Sequence, residues 1–293
     1  MNVNMKGSFV ALITPFTDQG QIDILALRKM VNIQIQEKSD GIVCLGSTGE
    51  KFTLSQEEQL RVVDIILEEA NERIPVIVGT GTNNTAETVT FTKIVQSMGV
   101  SAALVVVPYY NRPTGEGCLY HYHAVADLGL PIIAYHHPGR TGKFVSVEEW
   151  KKIIETKAIV ALKESSGDLS FIQQLQQEIE IPILCGDDDL LLSCFTIGTV
   201  GSISVIGNLF PSIWNKIVHA LIRKEENKIV GEYERLLPLI RTIFLESNPI
   251  GIKYAMSQLG LCTAKVRLPL TVASSELQEK IAQELTTLAS IST

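Results

Sequence analysis

Eight short apolar runs recur along the chain at intervals of roughly 25 to 30 residues, with amphipathic stretches between them. They are Phe9–Ile13, Gly41–Leu45, Pro75–Val78, Ala102–Val107, Pro131–Tyr135, Ile159–Lys163, Ile181–Leu184 and Ser202–Ile206. Each is continuously apolar rather than alternating, the pattern of a parallel strand covered on both faces. The intervening segments carry the 3.6-residue period of helices: 22–37, 55–72, 85–98, 116–127, 146–155, 169–179, 189–197 and 211–223. Ser55-Gln-Glu-Glu58 opens the second of these as a capping box. Eight strand–helix repeats suit a closed (β/α)8 TIM barrel. An open doubly wound sheet is the competing arrangement, but no Gly-rich dinucleotide fingerprint follows the first strand.

Past residue 224 the strand signal ends. Residues 225–245, 249–259 and 274–288 read as helices, so the expected organisation is a barrel domain over 1–224 and a C-terminal helical extension over 225–293. The hydrophobic content of 45% supplies a large core. The net charge of −7, with no basic cluster, argues against nucleic acid and anionic membranes as partners. Leu190–Phe210 contains no charged residue and has the length of a membrane helix. Gly198, Gly201 and Gly207 interrupt it, and a buried helix, a glycine turn and a buried strand account for it better. The five cysteines are odd in number and lack CxxC spacing, which favours a reducing compartment and a cytoplasmic protein.

In a (β/α)8 barrel the working groups lie where strands pass into the following loops. Those positions hold Gly46-Ser47-Thr48-Gly49-Glu50, Pro108-Tyr109-Tyr110-Asn111, Tyr135-His136-His137-Pro138-Gly139-Arg140, Lys163, Gly186-Asp187-Asp188 and the stretch from Ile203 to Gly207. Lys163 is the anomaly. An ammonium at the end of an apolar strand is costly to bury, burial favours its neutral amine, and a neutral amine attacks carbonyls. The alternative is a lysine that snorkels to solvent or pairs with a carboxylate. The Gly-Ser-Thr-Gly turn can aim backbone N–H groups and two hydroxyls at a carboxylate. Tyr135 can relay protons beside the amine, and Arg140 can grip a second carboxylate. Each also has a purely structural reading: a plain turn, a core tyrosine, a surface arginine. Metal chemistry fits less well, because His136 and His137 point opposite ways in extended chain and His121 and His123 diverge on a helix. Asp187–Asp189 reads as a helix N-cap run.

Gly46–Glu50, Pro108-Tyr-Tyr-Asn-Arg-Pro113, Tyr135 with Pro138-x-Arg-Thr-Gly142, Leu162-Lys-Glu164, Gly186-Asp-Asp188 and Asn248-Pro-Ile250 occur in the order and spacing of a known family. From about Lys6 to Leu288 the chain resembles dihydrodipicolinate synthase, of the pyruvate-dependent class I aldolase superfamily. The resemblance implies that Lys163 forms an imine with pyruvate and that the Ser47–Thr48 turn holds the pyruvate carboxylate. The resulting enamine would add to aspartate semialdehyde, giving 4-hydroxy-tetrahydrodipicolinate for diaminopimelate and lysine biosynthesis. Ser47, Tyr110 and Tyr135 match the family's proton relay, with Tyr110 reaching in from a neighbouring subunit. Arg140 matches the semialdehyde carboxylate clamp, and Gly186 and Ile203 fall at substrate-binding positions. The family implies a homotetramer built as a dimer of dimers, and no cofactor.

Three departures stand out. Ser47 replaces the threonine usual in the synthase and lacks the β-methyl that fixes its rotamer. His136-His137 replaces the commoner Asn-Val. Lys51 stands at a lysine-feedback position whose other members are Asn83, Glu87 and Tyr109, and its ammonium would repel a lysine ligand; Gln56 and Gln59 lie at variable positions. Another pyruvate lyase or dehydratase acting on a sialic acid or keto-sugar acid is the nearest alternative, and a non-catalytic keto-acid-binding barrel the more distant one.

Overall fold

A computed structural model describes residues 4–291. The expected repeat is present. The strands β1 (Gly7–Ala11), β2 (Gly41–Cys44), β3 (Val76–Gly79), β4 (Ala102–Val106), β5 (Ile132–His136), β6 (Ile159–Glu164), β7 (Ile183–Cys185) and β8 (Gly201–Ser204) close in chain order into a barrel. Between them run α1 (Ile24–Gln36), α2 (Gln56–Ala70), α3 (Thr85–Ser97), α4 (Gly115–Ala126), α5 (Pro138–Thr141), α6 (Val147–Ile153), α7 (Leu169–Glu178) and α8 (Leu191–Ile197). The barrel is followed by α9 (Pro211–Ile222), α10 (Val230–Ile243), α11 (Ile250–Gln258) and α12 (Ser275–Ile291).

Two compact units make up the chain. One holds Pro75–Ile203 with the N-terminal run up to Gly7; the other holds Ser8–Ile74 with the chain from Ser204 onward. In the first, β3 to β8 pair in parallel, each with the next, and Tyr135 stands opposite Lys163 and His136 opposite Glu164. Their side chains are almost all buried, as the unbroken apolar runs required. In the second, β1 pairs with β2. Ser55 and Glu58 form the capping box of α2.

The chain departs from the sequence reading mainly at strand ends. The first strand begins at Gly7 rather than Phe9, and the seventh begins only after Pro182, which has no N–H for a ladder. β6 continues past Lys163 to Glu164, so consecutive side chains of a lysine and a carboxylate leave on opposite faces. The helix expected over 225–245 breaks into a single 3₁₀ turn, Glu226–Lys228, followed by α10. The uncharged stretch 190–210 resolves into α8, a left-handed Gly198 and β8, with a short turn at Ile206–Asn208. Among the described residues no helix is long and apolar enough to cross a membrane.

Candidate active site

Lys163 sits inside a strand rather than at its frayed end, only 7% exposed. Parallel pairing places it level with Tyr135 on β5, and its Nζ lies 4.3 Å from the centre of the Tyr135 ring. Tyr135 is itself buried. The loop after β7 passes close behind the amine. A methyl group at Gly186 would meet Lys163 Cε at 2.8 Å and would overlap Ser165 Oγ, so only glycine leaves the lysine stem its place. Gly186 N–H donates to Glu164 O at 2.8 Å, which fixes that approach. Ile203 is fully buried within β8.

Glu164 faces away from Lys163 into a closed polar network. Its Oε1 lies 2.8 Å from His136 Nδ1, and both side chains are fully shielded from solvent. His136 Nε2 accepts the Val145 N–H, so the ring hydrogen belongs on Nδ1 and is donated to Glu164. The Ser166 N–H and hydroxyl complete the carboxylate's bonds. Phe144, Trp150 and Phe171 surround the imidazole at ring separations of 5.1 to 5.6 Å. The two histidines do diverge: His137 leaves on the other side, its ring edge-on to Tyr135. Burial, with the nearby charges of Arg140 and Lys163, pulls the His137 imidazole down to about 4, and its Nδ1 is buried without a hydrogen-bond partner.

Asp187 stands at the N-cap of the 3₁₀ turn Asp188–Leu190, as the acidic run suggested, but its side chain makes no capping bond. Burial and the neighbouring Glu164 push its carboxyl up to about 7, and the Lys163 ammonium only partly offsets them. A carboxyl that titrates near neutrality within the field of the lysine is a proton-transfer candidate. The sequence marked the Gly-Asp-Asp run but not which aspartate lies in the field of both Glu164 and Lys163, because only the fold sets Asp187 near them.

Arg140 is exposed on the single turn α5, whose N–H bonds return to the His137 carbonyl. Tyr110 is 88% exposed and holds a left-handed backbone at φ +70°; Arg112, two residues on, does the same at +45°. Left-handed non-glycine residues carry strain that tends to persist at functional positions. Asn83, Glu87 and Tyr109 lie together: burial raises the Tyr109 phenol, Asn83 bonds to it through its backbone, and the Glu87 charge reaches it.

The second unit carries the Gly46–Glu50 turn. Leu45 and Glu50, at φ +54° and +52°, bracket it with left-handed backbone. Within it Glu50 N–H donates to Ser47 O, and Thr14 Oγ1 donates to Gly49 O at 2.7 Å. The backbone N–H groups of Ser47 and Thr48 bond to nothing among the described residues. Ser47 is half-buried; Thr48 is buried, and Asn248 Nδ2 donates to its hydroxyl at 2.8 Å. Glu50 is ion-paired to Lys253, both side chains fully buried, and also accepts the Arg267 N–H at 3.0 Å. Lys51 follows, buried, at the start of a 3₁₀ turn, its carbonyl bonded by Gln59. The turn thus offers two unengaged N–H groups and two hydroxyls in succession, an arrangement suited to one small anion. Asn248, Lys253 and Arg267 were missed as site residues; Asn248-Pro-Ile250 was a motif without an assigned task.

The chain matches the model of the Dihydrodipicolinate synthetase family over residues 4–288. The 4-hydroxy-tetrahydrodipicolinate synthase of Protochlamydia amoebophila is 40% identical over 290 residues, covering 97% of each protein. The corresponding synthase structure from Methylacidiphilum fumariolicum superposes with a TM-score of 0.95 at 37% identity, covering 98% of this chain and 97% of that one. A dihydrodipicolinate synthase structure from Acinetobacter baumannii, complexed with pyruvate, gives 0.95 at 36% identity, covering 98% and 99%.

Proposed function

The chain belongs to the dihydrodipicolinate synthetase family, and we propose that it condenses pyruvate with L-aspartate 4-semialdehyde into 4-hydroxy-tetrahydrodipicolinate through an imine on Lys163. The observation that carries this reading is the buried Lys163, level with Tyr135 and 4.3 Å from its ring. The neutral amine attacks the ketone carbon of pyruvate, and the carbinolamine loses water to give the imine. Loss of a methyl proton leaves an enamine, whose terminal carbon adds to the semialdehyde's aldehyde carbon as that oxygen takes up a proton. The substrate's amino group then attacks the imine carbon, closes the ring and expels Lys163.

The Ser47–Thr48 turn holds the pyruvate carboxylate, and Arg140 holds that of the semialdehyde. Tyr135, Ser47 and Tyr110 carry the protons, with Gly186 and Ile203 at substrate-binding positions. The exposure of Tyr110 on strained backbone supports its entry into a neighbouring subunit's site, as in a homotetramer working in the cytoplasm. This enzyme would serve diaminopimelate and lysine biosynthesis.

Borohydride reduction in the presence of pyruvate should leave a pyruvate-derived adduct on Lys163, found by peptide mass spectrometry and absent from Lys163→Ala. An unmodified Lys163 rejects the mechanism. Turnover with aspartate semialdehyde in a coupled assay then confirms the second substrate, and turnover only with a sugar acid rejects it.

A further inference from the structure

The chain from Ser247 to Gln258 grips the Gly46–Glu50 turn at two points. Asn248 meets Thr48, and Lys253, in the first turn of α11, meets Glu50. The grip is itself well supported. Lys253 Nζ donates to Lys265 O at 2.9 Å and lies 4.0 Å from the centre of the Phe16 ring. The second oxygen of Glu50 takes the Arg267 N–H, and Arg267 is anchored by a bidentate pair with Glu58 and by the Gly20 carbonyl. Such a network is more than the closure of a turn needs.

The direction of the Asn248 bond has a chemical consequence. A threonine hydroxyl owns one hydrogen and two lone pairs. Asn248 Nδ2 is the donor, so Thr48 Oγ1 spends a lone pair on that bond and keeps its hydrogen. No acceptor among the described residues takes that hydrogen, although Thr48 is only 3% exposed. With the free N–H groups of Ser47 and Thr48, the turn presents three donors to an anion.

We propose that Asn248 is a positioning residue for substrate carboxylate binding: its amide fixes the Thr48 hydroxyl as a donor, and the buried Glu50–Lys253 pair ties the turn to α11, which begins just after Asn248. The proposal rests on the reading of Ser47–Thr48 as the carboxylate cradle.

Asn248→Asp tests it, because aspartate has the same shape but only accepts. It takes the Thr48 hydrogen and sets a negative charge beside the cradle. The pyruvate KM should rise about 10- to 100-fold, the range of a lost charge-assisted hydrogen bond with added repulsion, and kcat should fall far less. Asn248→Leu, which removes the bond without adding charge, should raise KM by roughly 3- to 10-fold. Borohydride trapping of Lys163 with acetone, a ketone without a carboxylate, should proceed as fast in both variants as in the parent. As the pH falls through the carboxylate range, Asn248→Asp should regain pyruvate affinity relative to the parent, since a protonated aspartate can donate again. In a Thr48→Val background Asn248→Asp should lose most of its effect. A parental pyruvate KM in Asn248→Asp, or equal slowing of acetone and pyruvate trapping, overturns the proposal. If the parent itself traps pyruvate no better than acetone, the cradle reading has failed rather than the role of Asn248.

Discussion

Each compact unit contains a fully buried acid–base pair next to a residue of the proposed chemistry, and the two pairs differ in kind. In one, Glu164 follows Lys163 directly and takes its hydrogen from His136, whose other nitrogen accepts the Val145 N–H. In the other, Glu50 stands two residues after Thr48 and is held by the Lys253 ammonium, the Lys253 side chain being fully buried. The imidazole can occupy its site without charge. Lys253 keeps its pKa below the ordinary lysine value mainly through burial, with Glu50 pulling the other way. The same task, anchoring a strand end so that its neighbour stays in place, is done once by a neutral ring in an aromatic box and once by an ion pair.

That contrast predicts unequal costs. Lys253→Met leaves the Glu50 carboxylate buried without its cation and should destabilise the protein by about 3–5 kcal/mol in denaturant unfolding. Adding Glu50→Gln should restore part of the loss. His136→Phe preserves the aromatic packing, and Glu164 retains its bonds from Ser166, so its cost should be about 1–3 kcal/mol. Equal costs would break the comparison and make both pairs ionic in effect.

Gly186→Ala sharpens the catalytic side. Its methyl meets the Lys163 stem, so kcat should fall about 100-fold through misplacement of the amine. The matching change at Gly49 meets only backbone of Leu45 and Leu12 at 3.1 to 3.4 Å, and should act on the pyruvate KM instead. Steady-state kinetics separates the two.

The smallest expected effect concerns Asp187. Its folded-state carboxyl titrates near 7, well above the ordinary aspartate value, so the folded protein holds the proton more tightly than the unfolded chain. Ionisation therefore costs stability progressively from about pH 4 to pH 7. Asp187→Asn should melt higher than the parent above about pH 7, with the difference vanishing towards about pH 4. It should also flatten the neutral limb of the kcat profile if Asp187 exchanges protons near Lys163; an unchanged profile confines Asp187 to a structural effect.

Much of this was legible in the residues. Continuous apolar runs marked strands, 3.6-residue periods marked helices, and an ammonium within an apolar run singled out Lys163 because burial of charge demands a reason. The motifs pointed to Ser47, Thr48, Tyr135 and Arg140. Strand ends were less legible: β6 gains Glu164 because His136, brought in by tertiary folding, joins the neighbouring Ser166 in satisfying a carboxylate that would otherwise stop a buried strand. Asp187 passed for a simple cap, since its closeness to Glu164 and Lys163 is not a local property.

The sequence alone determined the repeat, the barrel and the candidate nucleophile, because periodicity and the cost of burying charge act over a few residues. Only the tertiary structure decided which groups hold that chemistry in place. Parallel register set Tyr135 beside Lys163, and a bond between residues 200 positions apart set Asn248 on Thr48. Hydrogen bonds are short and directional, so which distant donor reaches a given acceptor depends on where the packed helices bring the chain.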